Sequence, residues 1–350
     1  MGRPGSVAQE VRMDFAFRLE WLDEVKEEVI DPDRKIVDPH QHFFEGSEMF
    51  PSYSLEDYWE DLGTHRVEES VFVECEEHYR ETGPELMAPL GETEWVDAIA
   101  KRTEAGPEGA ARVRAIVGGA NLCRGEAVRE LLEAQLEASS LFRGVRKSAV
   151  WDPDPALFSL EEATDINLYG EAGFRAGFAQ LAPLGLSYDA YHYHTQAGPF
   201  VSLARAFPDT LIVLDHLGTP AGVGSYAGRR KEIAEEWKVG ISEAASCPNV
   251  FMKLGGLVMP WTGFGFEEAP KPPTSDEIVA VQSDYYRHAI ESFGPERCMF
   301  ESNFPVEKLT ISYHVLWNAF KKLAAEYSED EQEALFSGTA TRVYRLEAST

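Results

Sequence analysis

The stretch Ile36-Val37-Asp38-Pro39-His40-Gln41-His42 joins a short apolar run to two histidines that are separated by one residue. Side chains alternate between the two faces of a strand, so an extended chain here would direct Asp38, His40 and His42 to the same side. A buried strand that ends in this way can present two imidazoles to one ligand. Two histidines in a surface turn would show the same short pattern, so the remaining sequence has to distinguish the two interpretations.

A pattern of apolar strand, polar turn and helix repeats along the chain after this stretch. With Ile36 to His40 there are eight candidate strands, roughly 25 to 45 residues apart, which is the spacing of βα units. Eight units predict a (β/α)8 TIM barrel rather than an open doubly wound sheet, because no Gly-x-Gly-x-x-Gly turn follows the first strand. The other candidate strands are Ser70 to Cys75, Val113 to Gly118, Phe142 to Ser148, Leu186 to His194, Leu211 to His216, Val250 to Leu254 and Cys298 to Ser302.

The helical patterns between these strands are Leu55 to Leu62, Ala127 to Glu137, Phe200 to Phe207, Arg230 to Ala245, Ile278 to Phe293 and Tyr313 to Ala325. Apolar residues also recur at helical spacing from Asp14 to Ile30, which predicts an amphipathic helix there. No linker divides the chain, so we expect residues 1–34 to form a tail and a helix packed on a single barrel domain of residues 35–350. The Pro- and Gly-rich segment Met259 to Thr274 predicts a long loop over the barrel mouth.

The composition excludes several classes of partner. The 350 residues include 60 acidic residues against 32 Lys and Arg, for a formal net charge of -28, and such a surface repels nucleic acid and anionic lipid. No apolar stretch approaches the ~20 residues that span a bilayer. The four cysteines are scattered without a Cys-x-x-Cys pair, which favours a reducing, cytoplasmic compartment.

Polar residues collect at the ends of the predicted strands, where the active site of such a barrel lies. Converging imidazoles could bind zinc or another divalent ion, or could act without metal as general acid and base. The residues at these ends are His40 and His42 (strand one), His192 and His194 (strand five), His216 (strand six), and Glu301 and Asn303 (strand eight).

Two arginines are candidates for binding an anionic group of a small-molecule substrate. Arg146 lies in the fourth strand and Arg80 follows the second, and a guanidinium can bind a carboxylate through two parallel hydrogen bonds. For Arg146, an ion pair with one of the many acidic residues of the chain is an equally good interpretation.

Six short motifs, which occur in the same order as in a known family, resemble the amidohydrolase superfamily. They are most similar to the amidohydrolase-related branch that contains pyrone-dicarboxylate lactonase and sugar-lactone hydrolases, and the resemblance runs from about Ile36 to Leu346. The motifs are Asp38-Pro39-His40-Gln41-His42, Gly91-Glu92-Thr93, Arg143-Gly144-Val145-Arg146, the run from Asp189 to Gln196, Leu214-Asp215-His216-Leu217-Gly218 and Ser302-Asn303-Phe304-Pro305.

The resemblance implies a TIM-barrel hydrolase in which His40 and His42 bind metal or substrate. It further implies that His194 and His216 complete the imidazole set and that Arg146 binds an anionic substrate group. As ligands of one divalent ion, zinc or manganese, it indicates His40, His42 and His194. A metal-free mechanism stays open, because the branch contains members that resemble metal-free enzymes.

The chain departs from the family at the end of the eighth strand. The family has an aspartate there as the base that activates water, whereas this chain has Asn303, and an amide cannot accept a proton at neutral pH. Glu301 lies two residues earlier, on the same face and one layer deeper. It could act as the base through a water molecule, or it could hold His42 or Lys253 in place.

We therefore expect hydrolysis of a lactone or related cyclic ester that bears a carboxylate, by His-assisted and optionally metal-assisted attack of water. Two alternatives stay open: non-oxidative decarboxylation on the same fold, and a barrel that has lost catalysis and serves as a binding protein. The apolar residues of the loop after strand seven also favour a homodimer.

Overall fold

The structure is a computed structural model that describes residues 15–46, 50–63, 65–159 and 166–346. Its centre is a sheet of eight parallel strands in sequence order. Between the chain after β8 and the end of β1, Asn303 N donates to His40 O at 2.9 Å and His42 N donates to Phe304 O at 2.8 Å. The barrel closes there, which confirms the predicted (β/α)8 fold. The strands are β1 (Ile36–Gln41), β2 (Val67–Val73), β3 (Arg112–Gly119), β4 (Phe142–Arg146), β5 (Ser187–Ala190), β6 (Ile212–Leu214), β7 (Val250–Leu254) and β8 (Cys298–Phe300).

Eleven α-helices occur among the described residues: α1 (Leu19–Leu22), α2 (Leu55–Leu62), α3 (Leu90–Glu104), α4 (Val128–Ala138), α5 (Ala172–Phe178), α6 (Ala197–Ala206), α7 (Arg230–Ala245), α8 (Ser275–Phe293), α9 (Tyr313–Ala324), α10 (Glu329–Glu333) and α11 (Thr339–Tyr344). The predicted helices correspond to α2, α4, α6, α7, α8 and α9 within a few residues. The sequence pattern does not reveal α3, because its buried face includes the polar residues Glu92 and Thr93. None of the described helices is long and apolar enough to cross a membrane.

The predicted helix from Asp14 to Ile30 is wrong over most of its length. Asp14 lies outside the described residues, and from residue 15 onward only Leu19–Leu22 is α-helical. Backbone carbonyls of the following segment accept from side chains of α9: Asn318 Nδ2 donates to Glu28 O at 2.9 Å, and Lys321 Nζ donates to Asp31 O at 2.8 Å. These contacts hold the segment in a non-helical path along the barrel, which the local apolar spacing does not indicate.

The lower part of the barrel interior is an apolar plug. Its residues come from five strands and from α11, which covers the amino-terminal end of the barrel. A layer of buried polar and charged side chains lies above the plug, and Tyr344 OH joins the two layers by donating to Asp189 Oδ2 at 2.7 Å. The plug residues include Val37, Val71, Val73, Ala115, Val117, Val213, Met299, Val343 and Leu346.

A bulge in β1 corrects the expectation that Asp38, His40 and His42 share one face. Asp38 pairs with Ser70 of β2 and Gln41 pairs with Phe72, so three residues of β1 oppose two of β2. The extra residue at Pro39 reverses the alternation of side chains. As a result, His40 and His42 face the barrel interior, while the carboxylate of Asp38 faces the hydroxyl groups of helices α2 and α9.

We predict that the buried Asp38 carboxylate is a major stabilising contact between β1, β8 and the helices. It accepts hydrogen bonds from Ser302 Oγ at 2.6 Å, Tyr313 OH at 3.1 Å and Tyr58 OH at 3.3 Å. Asp38→Ala leaves these buried donors unpaired and should lower the free energy of unfolding by about 3 kcal/mol, whereas Asp38→Asn, which keeps one acceptor, should cost about 1 kcal/mol. Urea denaturation measures both, and an equal loss in the two variants would contradict this role.

Candidate active site

Three imidazoles meet at the carboxyl ends of the strands. His40 and His42 come from the end of β1, and His216 comes from the turn after β6; all three are buried. The Nε2 atoms of His40 and His42 are 3.1 Å apart, and the ring centres of His40 and His216 are 4.6 Å apart. The structure thus brings together three of the four histidines that the resemblance indicated.

Glu301 joins two of these imidazoles. Its Oε1 accepts from His216 Nδ1 at 2.7 Å and from His216 N at 3.0 Å, and its Oε2 lies 2.8 Å from His40 Nδ1. Burial opposes ionisation of this carboxyl group, but the neighbouring His216 and His40 outweigh burial and lower its pKa to about 2. Glu301 therefore orients His40 and His216, where the sequence had indicated His42 or Lys253 as the groups that it could hold.

A glycine pair after β7 makes room for this contact. A Cβ atom on Gly256 would lie 2.4 Å from Cβ of His216, and one on Gly255 would lie 2.4 Å from Cγ of Glu301. Gly256 also has φ +77°, and His216 itself has φ +55°. Only glycine fits at these two positions, so the Gly-Gly pair was the sequence signal that could have indicated the close approach.

The hydrogen-bond partners assign the tautomers of His42 and His216. His42 Nδ1 lies 2.8 Å from Val73 O, which can only accept, so this nitrogen carries the hydrogen. His216 Nδ1 donates to the ionised Glu301 in the same way. His40 Nδ1 lies 2.8 Å from Glu301 Oε2, which accepts, but also 3.1 Å from Lys253 Nζ, which can only donate. With the hydrogen of His40 on Nδ1, all three Nε2 atoms carry lone pairs, and those of His40 and His42 face each other at 3.1 Å. Two lone pairs at this distance repel each other unless a proton or a cation lies between them.

The balance of buried charge also favours a cation. Lys253 Nζ lies 2.7 Å from Asp189 Oδ2 and 3.1 Å from Asp215 Oδ1. Burial, with the charge of Lys253, lowers the pKa of His40 well below its ordinary value, so a proton on this ring is disfavoured. With neutral imidazoles, the buried carboxylates Glu74, Asp189, Asp215 and Glu301 exceed the buried cations Arg146, Lys147 and Lys253 by one charge.

These observations fit a divalent ion. The separation of 3.1 Å between the Nε2 atoms of His40 and His42 is close to that of two ligands on a tetrahedral zinc with bonds of about 2.0 to 2.1 Å. His40, His216 and Glu301 also offer ligand atoms that all lie within 4.8 Å of one another. In addition, Nδ1 of His42 and Nδ1 of His216 each donate to an acceptor, as is usual for a histidine that binds metal.

His194, the third expected ligand, lies outside this cluster. Its Nδ1 accepts from Ala221 N at 3.2 Å, and its ring faces Tyr226 with 5.6 Å between the ring centres. The predicted strand Leu186 to His194 is too long, because β5 ends at Ala190. The side-chain alternation that would have aligned His194 with the site does not extend that far, so the expected ligand set of His40, His42 and His194 is corrected.

His192 also points away from the cluster. Its Nδ1 lies 3.0 Å from Tyr169 OH, and its ring packs 4.8 Å from that of Phe200 in α6, in the layer between barrel and helices. Tyr191, which the sequence analysis did not single out, lies on the wall of the cavity in front of the imidazoles, 5.0 Å from His216 between ring centres.

The two candidate arginines are both engaged by glutamates. Arg146 reaches the cluster, where Nη1 lies 3.3 Å from His40 Nε2, but its Nε donates to Glu74 Oε1 at 2.7 Å and its Nη2 donates to Glu74 O. The ion-pair interpretation of Arg146 is therefore the one observed. Arg80 lies away from the cavity and donates to Glu94 Oε1 at 2.6 Å on the surface, which corrects its expected place at the site.

A cavity of about 210 Å³ opens in front of the imidazoles. Aromatic residues form much of its wall, in two stacked pairs: Phe44 with Phe50, and Phe158 with Trp261. Met259 and Trp261 belong to the segment predicted to lie over the barrel mouth. The remaining lining residues are His42, Glu74, Cys75, Glu76, Glu77, Arg146, Ser148, Tyr191, His216, Asn303 and Val306.

The sequence profile described as amidohydrolase matches residues 37–346. Together with the barrel and its buried imidazoles, this match defines a TIM-barrel hydrolase. The chain belongs to the amidohydrolase family, in its lactonase-like branch.

Curated relatives match over nearly the whole chain. An uncharacterised protein of Sinorhizobium fredii, y4mH, is 32% identical over 337 residues, which are 90% of this chain and 99% of the relative. An L-fucono-1,5-lactonase of Burkholderia ambifaria is 26% identical over 325 residues, 89% of this chain and 96% of the relative. The crystal structure of an amidohydrolase from Burkholderia multivorans with bound HEPES has a TM-score of 0.69 at 23% identity. The match covers 90% of this chain and 100% of the crystallised chain. The same amidohydrolase has been crystallised with bound zinc, with a TM-score of 0.68.

We predict that buried His192 makes the fold sensitive to acid. Burial lowers the pKa of this imidazole to about 3, whereas the unfolded chain has a value near 6.5. Protonation therefore favours the unfolded state, and stability that is complete above pH 6.5 is lost as the pH falls. In His192→Gln, the loss of unfolding free energy between pH 7 and pH 5 should be about 2 kcal/mol smaller than in the wild type.

Urea denaturation at the two pH values measures this difference. His78→Gln is the control, since His78 is a histidine whose side chain is 40% exposed. A loss of stability in His192→Gln that equals that of the wild type would show that this ring is not the origin of the acid sensitivity.

Proposed function

We propose that the protein opens a lactone ring by attack of a water molecule that His216 activates. The observation that supports this most directly is the contact between Glu301 and His216. Because Glu301 Oε1 accepts the Nδ1 hydrogen at 2.7 Å, the Nε2 of His216 is left as a proton acceptor on the cavity wall. The lactonase among the relatives supports the same reaction class.

The residues present can accept and return the one proton that this reaction moves. His216 Nε2 takes a proton from water as the oxygen attacks the lactone carbonyl, and Glu301 stabilises the imidazolium that forms. The same proton then passes to the ring oxygen as the acyl bond breaks, which yields a hydroxy acid. Asn303 cannot act as the base, so the His216 and Glu301 pair takes the part that the family gives to an aspartate.

Two donors on the wall suit the carbonyl oxygen of the substrate. Tyr191 carries a hydroxyl group and Trp261 an indole N–H, and both residues line the cavity. Hydrogen bonds that strengthen as negative charge develops on this oxygen would accelerate the attack. The stacked aromatic pairs around them offer flat apolar surfaces to a substrate ring.

A divalent ion at His40 and His42 would polarise the carbonyl group and lower the pKa of a bound water. We propose zinc rather than manganese, because imidazole nitrogens suit zinc whereas manganese prefers oxygen ligands. The zinc-bound Burkholderia multivorans amidohydrolase supports this choice.

The substrate that we propose is a small lactone whose binding does not depend on a carboxylate. Arg146 was the group expected to bind such a carboxylate, but Glu74 occupies two of its donor positions. A substrate carboxylate would have to compete with Glu74 for the guanidinium, and it would meet two further acidic residues, Glu76 and Glu77, at the cavity wall.

We predict that His216→Ala lowers kcat for lactone opening by about 1,000-fold, because it removes the base. Glu301→Gln should lower kcat by about 10- to 100-fold, since the ring keeps its place but loses the charge that stabilises the imidazolium. A panel of sugar and simple lactones, followed by mass spectrometry, measures the reaction, and the product should be heavier than the substrate by one water.

His192→Gln is the matched control, because His192 is a buried histidine of the same barrel that does not reach the cavity. Unchanged turnover in His216→Ala would refute the proposal, and release of carbon dioxide from aromatic acids without ring opening would identify a decarboxylase instead. Metal analysis before and after chelation, with turnover measured on the same samples, tests the zinc.

We predict that Glu74 sets the charge preference of the site. The wild type should open a neutral lactone at least as efficiently as the same ring bearing a carboxylate. Glu74→Gln frees the charge of Arg146 from its carboxylate, although the guanidinium still donates to the backbone O of Glu74, and should raise kcat/KM for the carboxylate-bearing lactone, relative to the neutral one, by about tenfold.

Glu76→Gln removes the same charge from the cavity wall without freeing Arg146 and is therefore the control. An equal change of preference in both variants would show that the overall charge of the wall, and not the pairing of Arg146, decides which substrate is accepted.

A further inference from the structure

We propose that Glu307 orients the carboxamide of Asn303 so that its oxygen, and not its nitrogen, faces His42. Asn303 then supplies an uncharged oxygen donor to the cation at the imidazole pair. This inference rests on the cation of the proposed function, while the role of Glu307 as a positioning residue is new.

Asn303 is held close to the imidazole pair by its backbone. Its N donates to His40 O at 2.9 Å, and its φ of +52° lies in the left-handed region, which asparagine tolerates better than most residues. Its side chain contacts His42 and lines the cavity beside it. One end of the carboxamide therefore faces the ligand pair, and the other end faces the protein.

The atoms on the protein side identify that end as the nitrogen. Asn303 Nδ2 lies 3.4 Å from Glu307 Oε1 and 3.4 Å from Met259 Sδ. A thioether sulfur is only an acceptor, and a carboxyl group keeps an acceptor oxygen in either protonation state. Two acceptors on one side require the N–H groups of the carboxamide there, so Oδ1 is directed to the opposite side, toward His42.

Glu307 is well placed to fix this orientation. It is 1% exposed and lies four residues after Asn303, in the helical turn Val306–Leu309, whose hydrogen bond from Glu307 N to Asn303 O measures 3.3 Å. It is not among the residues that line the cavity, and the hydrogen bond from Asn303 Nδ2 is its direct contact with a lining residue. The role of Glu307 is therefore to position the carboxamide.

The orientation of the Asn303 carboxamide decides whether an oxygen or two N–H groups face the cation at the imidazole pair. With the hydrogen of His40 on Nδ1, lone pairs of His40 Nε2, His42 Nε2 and Asn303 Oδ1 face the same region, and a cation there would displace Arg146 Nη1, which lies 3.3 Å from His40 Nε2. Were the carboxamide reversed, its N–H groups would face the same point and would repel a cation. A neutral oxygen donor also avoids placing a second carboxylate next to Glu307.

The test is a double-mutant cycle on zinc affinity, measured by competition with a chromophoric chelator on the full chain. Glu307→Gln keeps an acceptor and should bind zinc within about threefold of the wild type, whereas Glu307→Leu lets the carboxamide reverse and should bind zinc about 10- to 100-fold more weakly. In the Asn303→Asp background, Glu307→Leu should cost less than about threefold, because a carboxylate presents oxygen on both sides.

An equal loss from Glu307→Leu in both backgrounds would overturn the proposal, since it would show a general structural effect. No loss in the wild-type background, or no zinc binding by the wild type, would overturn it too. Lactone turnover by the wild type is measured separately and reports on the proposed reaction itself. If Glu307→Leu does not fold, Glu307→Met, which keeps the length of the side chain, takes its place in both backgrounds.

Discussion

The contact of one buried carboxylate, Glu301, with two imidazoles is the interaction on which the site depends. It connects β8 with β1 and with the turn after β6, and it assigns the tautomer of His216. A carboxylate that is shielded from water is costly unless it is paired. The backbone N and Nδ1 of His216 donate to Glu301 Oε1, His40 Nδ1 lies 2.8 Å from Oε2, and the glycines after β7 keep the space around the carboxylate open.

The interior of the barrel combines this contact with a wider set of buried charges. Lys253 and Arg146 each neutralise a carboxylate, yet negative charge remains in excess. A buried network of this kind is stable only when each member has its partner. The excess of negative charge therefore concerns both the fold and the chemistry, because the carboxylates that attract a cation also connect four strands: β2, β5, β6 and β8.

The fold could be predicted from the sequence because it rests on local patterns. Apolar strands at βα spacing and the missing phosphate-binding turn were sufficient for the barrel, and His40 with His42 indicated the site. The failures arose where the outcome depends on distant residues. The bulge at Pro39 exists only through pairing with β2, and the contact of Arg146 with Glu74 joins positions that are far apart in the chain. Likewise, β5 ends at Ala190, and His194 N donates to Thr219 O in the loop after β6, so His194 does not reach the site.

The hydrogen bond from Tyr344 to Asp189 connects the last helix to the charged layer of the barrel. Asp189 in turn holds Lys253, which contacts His40. During synthesis on the ribosome, this connection can form only after residue 344 has left the exit tunnel, when all eight strands are already made. The charged layer is thus completed only after α11 has emerged, and a nascent barrel that lacks α11 would leave Asp189 paired with Lys253 but without the hydrogen bond from Tyr344.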